Sequence, residues 1–139
     1  MAQAVGLYDA PMWEAIALRR MQLQRCASCA TWRYPPGPVC PQCLASAHQW
    51  TEITGFGEIT SWAVFHRQYL PGYPAPYNVV SVRLAEGPTM ISNLEGPEPK
   101  GSWIGLRVQL VWAEISAGQF LPRFRLSAAQ PEQAQRLPP

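Results

Sequence analysis

Apolar and polar residues alternate along the second half of the chain, the pattern of half-buried β-strands. Five segments show it: Gly57–His66, Asn78–Leu84, Thr89–Leu94, Arg107–Trp112 and Phe120–Leu126. The turn sequences 85–88 and 116–119 each separate two of these segments and predict hairpins. Five short strands without a long helix between them predict a small closed barrel of the oligonucleotide/oligosaccharide-binding (OB) type. A five-stranded sandwich is the alternative.

The first twenty residues predict a short helix. Asp9 is a suitable N-cap, and Pro11 stands in the first turn. Three- and four-residue spacing places one set of side chains on a common face: Trp13, Ile16, Ala17 and Arg20. Such a short helix is marginal alone, so it must dock on its own domain or on a partner. Residues 21–25 then alternate like a strand, and residues 49–52 read as a link to the barrel.

Composition excludes some classes of protein. With 47% hydrophobic residues among 139, the chain can bury a core, and its apolar runs are too short to cross a membrane. The N-terminus shows no secretion signal, so we expect a cytoplasmic protein. A net charge of +2 is too small to indicate a nucleic-acid binder, although the chain has six tryptophans and its eleven basic residues are all arginine except Lys100.

Four cysteines form two Cys-x-x-Cys pairs separated by ten residues, and they are the only cysteines in the chain. Two such turns facing each other give a tetrahedral sulfur site, the arrangement that structural zinc prefers. The predicted ligands are Cys26, Cys29, Cys40 and Cys43. Disulfides need an oxidising compartment and are one alternative; a redox dithiol or a lost metal site is another. Four protein ligands close the site, so the zinc would stabilise the fold and leave no open position for chemistry.

These patterns divide the chain into four parts. We expect an N-terminal helical extension over residues 1–22, a zinc ribbon over 23–50 and a barrel over 51–127. A flexible tail over 128–139 completes the chain. The predicted fold class is mainly β.

Short motifs spread along residues 10–127 resemble one known family, the zinc-ribbon OB-fold proteins described as domain of unknown function 35. The residues that carry the resemblance are Met12–Ala15, Leu23–Cys29, Arg33–Pro36, Cys40–Cys43, Gly55–Gly57, Ser61–Trp62, Pro71–Tyr73, Pro76–Tyr77, Ser92–Leu94, Ile104–Gly105 and Leu121–Phe124. Two positions depart from the family pattern: Ala30 stands where glycine is usual, and Gly37 where arginine is frequent.

The resemblance implies a helical extension, a rubredoxin-like zinc ribbon and a five-stranded OB-fold barrel. It also implies a non-catalytic accessory subunit of a thiolase-like enzyme, within an acyl-CoA C-acyltransferase or aldolase-type complex. Such a subunit would help to hold or channel acyl-CoA, and two copies of each chain would form a heterotetramer.

Three groups of residues are candidates for binding acyl-CoA: Arg33 and Tyr34, Tyr73 and Tyr77, and Arg123 and Arg125. Each has a structural alternative. The first pair could simply cover the zinc site, and the second could belong to an ordinary proline-stiffened loop. The third pair could protect an edge strand from aggregation.

Catalysis by this chain alone is not expected. Every cysteine is assigned to the metal, and neither His48 nor His66 has a nucleophile at a spacing that specifies a catalytic site. The rival interpretation is a single-stranded nucleic-acid-binding module, because zinc ribbons and OB barrels both serve that role.

Overall fold

The computed structural model describes residues 6–128 and residue 130. One helix and eight strands follow in chain order: α1 (Ala10–Ala17), β1 (Gln22–Cys26), β2 (Trp32–Arg33), β3 (His48–Glu52), β4 (Phe56–Phe65), β5 (Tyr77–Leu84), β6 (Thr89–Ser92), β7 (Arg107–Ser116) and β8 (Gln119–Leu126). The described residues form two compact units. The first contains those up to Thr54 with Glu86–Pro88 and Trp112–Pro122; the second contains Gly55–Ala85, Thr89–Val111 and those from Arg123 onward.

Helix α1 buries only part of the predicted common face in its own unit. Its buried side chains are Met12, Ala15 and Ile16, whereas Ala17 and Arg20 are exposed. Arg20 lies beyond the end of the helix and pairs with Glu52 at 3.2 Å near the surface. Trp13 is half-buried at the edge, where its indole N–H donates to the Asp9 carboxylate over 3.0 Å.

The first unit contains a three-stranded sheet in the order β2-β1-β3. Strands β1 and β3 pair antiparallel from Gln22 opposite Glu52 to Cys26 opposite His48. The segment 49–52 is therefore a strand of this sheet, and its interpretation as a link was wrong. It also spans the expected boundary at residues 50 and 51. Leu23 of β1 is fully buried at the centre.

The second sheet has five strands in the order β6-β5-β4-β7-β8. All five predicted strands and both predicted hairpins are present. A bulge falls between Ile59 and Ser61 of β4, a few residues beyond the glycines at the start of that strand. The sheet curls into a half-barrel, and its two ends meet at a single parallel bridge between Leu94 and Phe124. Its fully buried side chains include Ile59, Val80, Val82, Val108 and Phe124.

The end of the chain is described only in part. The Gln130 side chain donates to the backbone oxygens of Arg107 and Ser127, both over 2.7 Å. Residues 131–139 of the predicted flexible tail lie outside the described residues. Within the described part of the chain, no helix has the length and apolar character needed to cross a membrane.

Candidate metal centre and ligand cavities

The four cysteine sulfurs converge on one point in the first unit. All lie within 4.8 Å of one another, and the Cys26–Cys43 and Cys29–Cys40 sulfur pairs are each 3.5 Å apart. A tetrahedral zinc with ~2.3 Å bonds needs sulfurs about 3.8 Å apart. The four cysteines are thus positioned to bind one metal ion, consistent with structural zinc. Cys26 and Cys40 are buried, and Cys29 and Cys43 are exposed.

Backbone amides favour the thiolate form at this cluster. The pKa of Cys26 is lowered to about 6, chiefly because the Cys29 backbone N–H hydrogen-bonds its sulfur. The backbone N–H of Cys43 likewise lowers the pKa of Cys40. At Cys43 the backbone N–H of Ala45 also lowers the pKa, but the neighbouring cysteine sulfurs outweigh it and raise the pKa to about 11. A bound cation would offset the repulsion between neighbouring thiolates, since thiols that ligate a metal are deprotonated.

Each metal-binding turn ends in a left-handed residue. Ala30 and Leu44, directly after the two Cys-x-x-Cys pairs, both have φ of 64°. This conformation favours glycine, because a side chain there costs roughly 1–2 kcal/mol. Leu44 is also 73% exposed, so it leaves an apolar side chain at the surface of the second turn.

Arg33 lies inside the zinc-ribbon sheet and is only 2% exposed. Its guanidinium donates to the backbone oxygens of Ala45 over 3.0 Å and of Ala47 over 3.3 Å, with longer contacts to Gly37 and Ser46. Except for that of Gly37, these carbonyls belong to the segment that follows the second metal-binding turn. The burial argues against the predicted contact of Arg33 with a CoA phosphate. Its role in the structure is to hold this segment in place.

Tyr34 lines a cavity of about 460 Å³ in the first unit, together with Cys29, Trp32, Pro41, Gln42 and Glu86. Burial raises the pKa of the Tyr34 hydroxyl. Arg25 lies over the Trp32 ring, with its guanidinium carbon 5.0 Å from the ring centre. Tyr34 and Trp32 therefore border the same open cavity as the metal ligand Cys29, and binding of acyl-CoA by Tyr34 stays a prediction.

Tyr73 and Tyr77 line a second cavity, of about 260 Å³, in the second unit. Their ring centres are 5.9 Å apart, and Tyr77 stacks on Phe65 at 5.2 Å. Arg123 lines the same cavity, with its guanidinium carbon 5.8 Å from the Tyr73 ring centre. The structure thus brings together three of the predicted site residues. Arg125 is exposed on β8 and is not among the residues lining this cavity.

Glu95 is a residue of this cavity that the sequence did not indicate. Its carboxylate accepts a hydrogen bond from Arg123 over 2.6 Å. The two residues are 28 positions apart in the chain. The bridge between Leu94 and Phe124 brings them together, and no local motif predicts that contact.

Two family profiles match this chain in succession. The profile described as "ChsH2, rubredoxin-like zinc ribbon domain" matches residues 13–49, and "ChsH2, C-terminal OB-fold domain" matches residues 50–113. A zinc ribbon followed by an OB-fold domain is therefore the class that fold and site define.

A solved structure named "Ltp2-ChsH2(DUF35) aldolase" contains a chain similar to this one over nearly its full length. The two are 39% identical with a TM-score of 0.81, and the match covers 89% of this chain and 98% of that chain. The present chain thus belongs to the ChsH2 (DUF35) family, and the resemblance is confirmed.

Two curated relatives are longer proteins. The "Probable enoyl-CoA hydratase alpha subunit" of Thermomonospora curvata is 39% identical over 129 residues, which is 93% of this chain and 40% of the relative. The "3-oxo-4,17-pregnadiene-20-carboxyl-CoA hydratase alpha subunit" of Mycobacterium tuberculosis is 26% identical over 121 residues, 87% of this chain and 37% of the relative. The chain spans about two fifths of the length of these relatives.

Proposed function

We propose that this chain is a non-catalytic accessory subunit that binds a thiolase-like or aldolase-type enzyme and helps to hold or channel acyl-CoA. Structural zinc in the ribbon stabilises it. The observation that carries this proposal is the match to 98% of a chain from an aldolase whose name includes a second component, Ltp2. Two relatives named as hydratase alpha subunits support an acyl-CoA context.

The chemistry of the described residues supports the non-catalytic part of the proposal. All four cysteines point into one cluster, so none remains as a free nucleophile for acyl transfer. His48 contacts the Gln24 side chain at 3.2 Å and the Ser46 backbone oxygen at 3.0 Å within the ribbon. The reacting groups would therefore come from the partner enzyme.

Exposed apolar side chains beside α1 are candidates for the partner surface. Leu7 is 86% exposed and Leu18 is 72% exposed, so an apolar side chain lies at the surface on each flank of this short helix. The other face of α1 is buried in its own unit, so deleting residues 1–20 would damage the unit as well as an interface. Substituting the exposed leucines separates these two effects.

Co-expression with a neighbouring thiolase-like or aldolase-type gene tests the proposal. Light scattering on a sizing column should give one species with the mass of two copies of each chain. Leu7→Ser with Leu18→Ser should weaken this species and leave thermal unfolding of the free chain nearly unchanged. Ile91→Ser, at a comparable exposure of 64% on β6, is the matched control. Separate species for the wild-type pair would contradict the proposal; salt-dependent binding of single-stranded nucleic acid would favour the rival function.

A further inference from the structure

The cavity beside Tyr73 and Tyr77 is too small for a whole acyl-CoA molecule. Its volume is about 260 Å³, whereas sites for drug-sized ligands span roughly 300–1,000 Å³. Acyl-CoA combines a nucleotide with phosphates, a long pantetheine arm and an acyl group. Only one of these parts can occupy the cavity.

The uncharged walls of the cavity are held in fixed positions. Tyr73 and Tyr77 form an aromatic wall, and the Phe65 ring stacks on the Tyr77 ring. Asn78 bonds Leu94 through both ends of its amide: Nδ2 donates to the Leu94 oxygen over 2.9 Å, and Oδ1 accepts from the Leu94 N–H over 2.6 Å. The wall is thus an ordered surface on which aromatic rings lie beside amide groups, suited to an uncharged acyl group with apolar and polar parts.

The charged residues lining the cavity oppose an anionic ligand. They are Glu95, Glu98 and Arg123, two negative charges and one positive, which gives a net charge of −1. Glu95 already neutralises Arg123, and the pair is partly shielded, with side chains 41% and 21% exposed respectively. Burial lowers the pKa of Arg123, but the hydrogen bond and charge of Glu95 more than offset this, so the pKa is raised. A phosphate would have to displace Glu95 and approach Glu98.

We propose that this cavity binds the uncharged acyl part of an acyl thioester, and that Glu95 is a specificity residue that excludes carboxylates and phosphates. This inference rests on the proposed function, because the acyl end of an acyl thioester is the ligand part that fits. Arg123 is then held by Glu95, and the phosphates of CoA bind elsewhere. This differs from the phosphate contact expected from the sequence.

Calorimetric titration of the full chain with two pantetheine thioesters of equal length tests the inference. One carries a hexanoyl group, and the other carries the same six carbons ending in a carboxylate. Wild-type protein should bind the hexanoyl thioester at least tenfold more tightly. Glu95→Gln keeps the side-chain shape and removes the charge, so this preference should fall about tenfold. Tyr77→Ala should weaken binding of the hexanoyl thioester, and Glu58→Gln, exposed on β4 outside the cavity, should change nothing.

Several outcomes would overturn the inference. Equal affinity of the wild-type chain for both thioesters, or an unchanged preference in Glu95→Gln, would remove the specificity role. Competition by CoA without an acyl group, lost in Arg123→Leu, would make the cavity a phosphate site. If neither thioester binds at millimolar concentration, the cavity does not hold the acyl group. The mass of the partner complex is measured independently of these titrations. The proposed assembly with a partner enzyme could therefore be correct even if this inference fails.

Discussion

Replacing Arg33 with methionine should destabilise the zinc ribbon without affecting a ligand site. The guanidinium makes its two closest hydrogen bonds to Ala45 O and Ala47 O, at 3.0 and 3.3 Å. Charge-assisted hydrogen bonds contribute ~1.5–3 kcal/mol each, and part of this is offset by the cost of burying the charge. We therefore expect the variant to lose roughly 3 kcal/mol of local stability.

Amide hydrogen exchange reports this change directly. Ala45 O and Ala47 O also accept the backbone N–H groups of Cys40 and Ala27, over 2.9 and 3.0 Å. Exchange at these two amides should accelerate by about two decades, since ~1.4 kcal/mol corresponds to tenfold. Arg25→Met, an exposed arginine on β1, is the control and should change local stability by less than ~1 kcal/mol. Unchanged exchange in Arg33→Met, together with weaker acyl-CoA binding by the partner complex, would refute this reasoning and make Arg33 a ligand residue.

Three further substitutions test the metal centre and the packing. Cys29→Ser should loosen the ribbon and reduce the zinc content below one ion per chain. Metal analysis after anaerobic purification measures the zinc content. A wild-type chain with four free thiols and no zinc would contradict this prediction. Ile16→Ala should lower the free energy of unfolding by roughly 2–4 kcal/mol, because this helix side chain is 3% exposed. Leu18→Ala, at 72% exposure, should lower it by less than ~0.5 kcal/mol. Equal effects of the two substitutions in thermal unfolding would count against the buried face described above. Gly57→Ala should lower the free energy of unfolding by about 1–3 kcal/mol, because the added carbon would lie 2.6 Å from a β5 side chain and 2.8 Å from a backbone oxygen. Gly37→Ala is the control, because its added carbon would meet nothing within 4 Å.

The sequence predicted features that depend on local spacing. Each Cys-x-x-Cys pair places two sulfurs on one turn, so the four metal ligands could be predicted from the spacing of neighbouring residues. Likewise, Val80, Val82 and Leu84 alternate along one strand and are all buried. Period-two patterns and turn residues were enough to predict the five strands and the hairpins between them.

Features that depend on distant contacts could not be predicted. Arg33 appeared to be a ligand candidate because its neighbours are aromatic and proline residues, but the carbonyls that it binds are 12 to 14 positions away. Strand β3 has no clear alternation and forms because β1 lies beside it. The Glu95–Arg123 ion pair depends on the bridge that brings the two ends of the curled sheet together. Tertiary neighbours, rather than residue type, decide the role of such charged side chains.

Acyl-CoA turnover measured for the purified chain, the partner enzyme and the reconstituted pair tests the central claim most directly. The account predicts no turnover by this chain alone, because no cysteine thiol remains free when the four cysteines bind metal, and full turnover only by the pair. Metal analysis of the same samples ensures that the ribbon is loaded. Turnover by the isolated chain, after rigorous removal of other proteins, would contradict the account, as would a partner enzyme that is equally active without it.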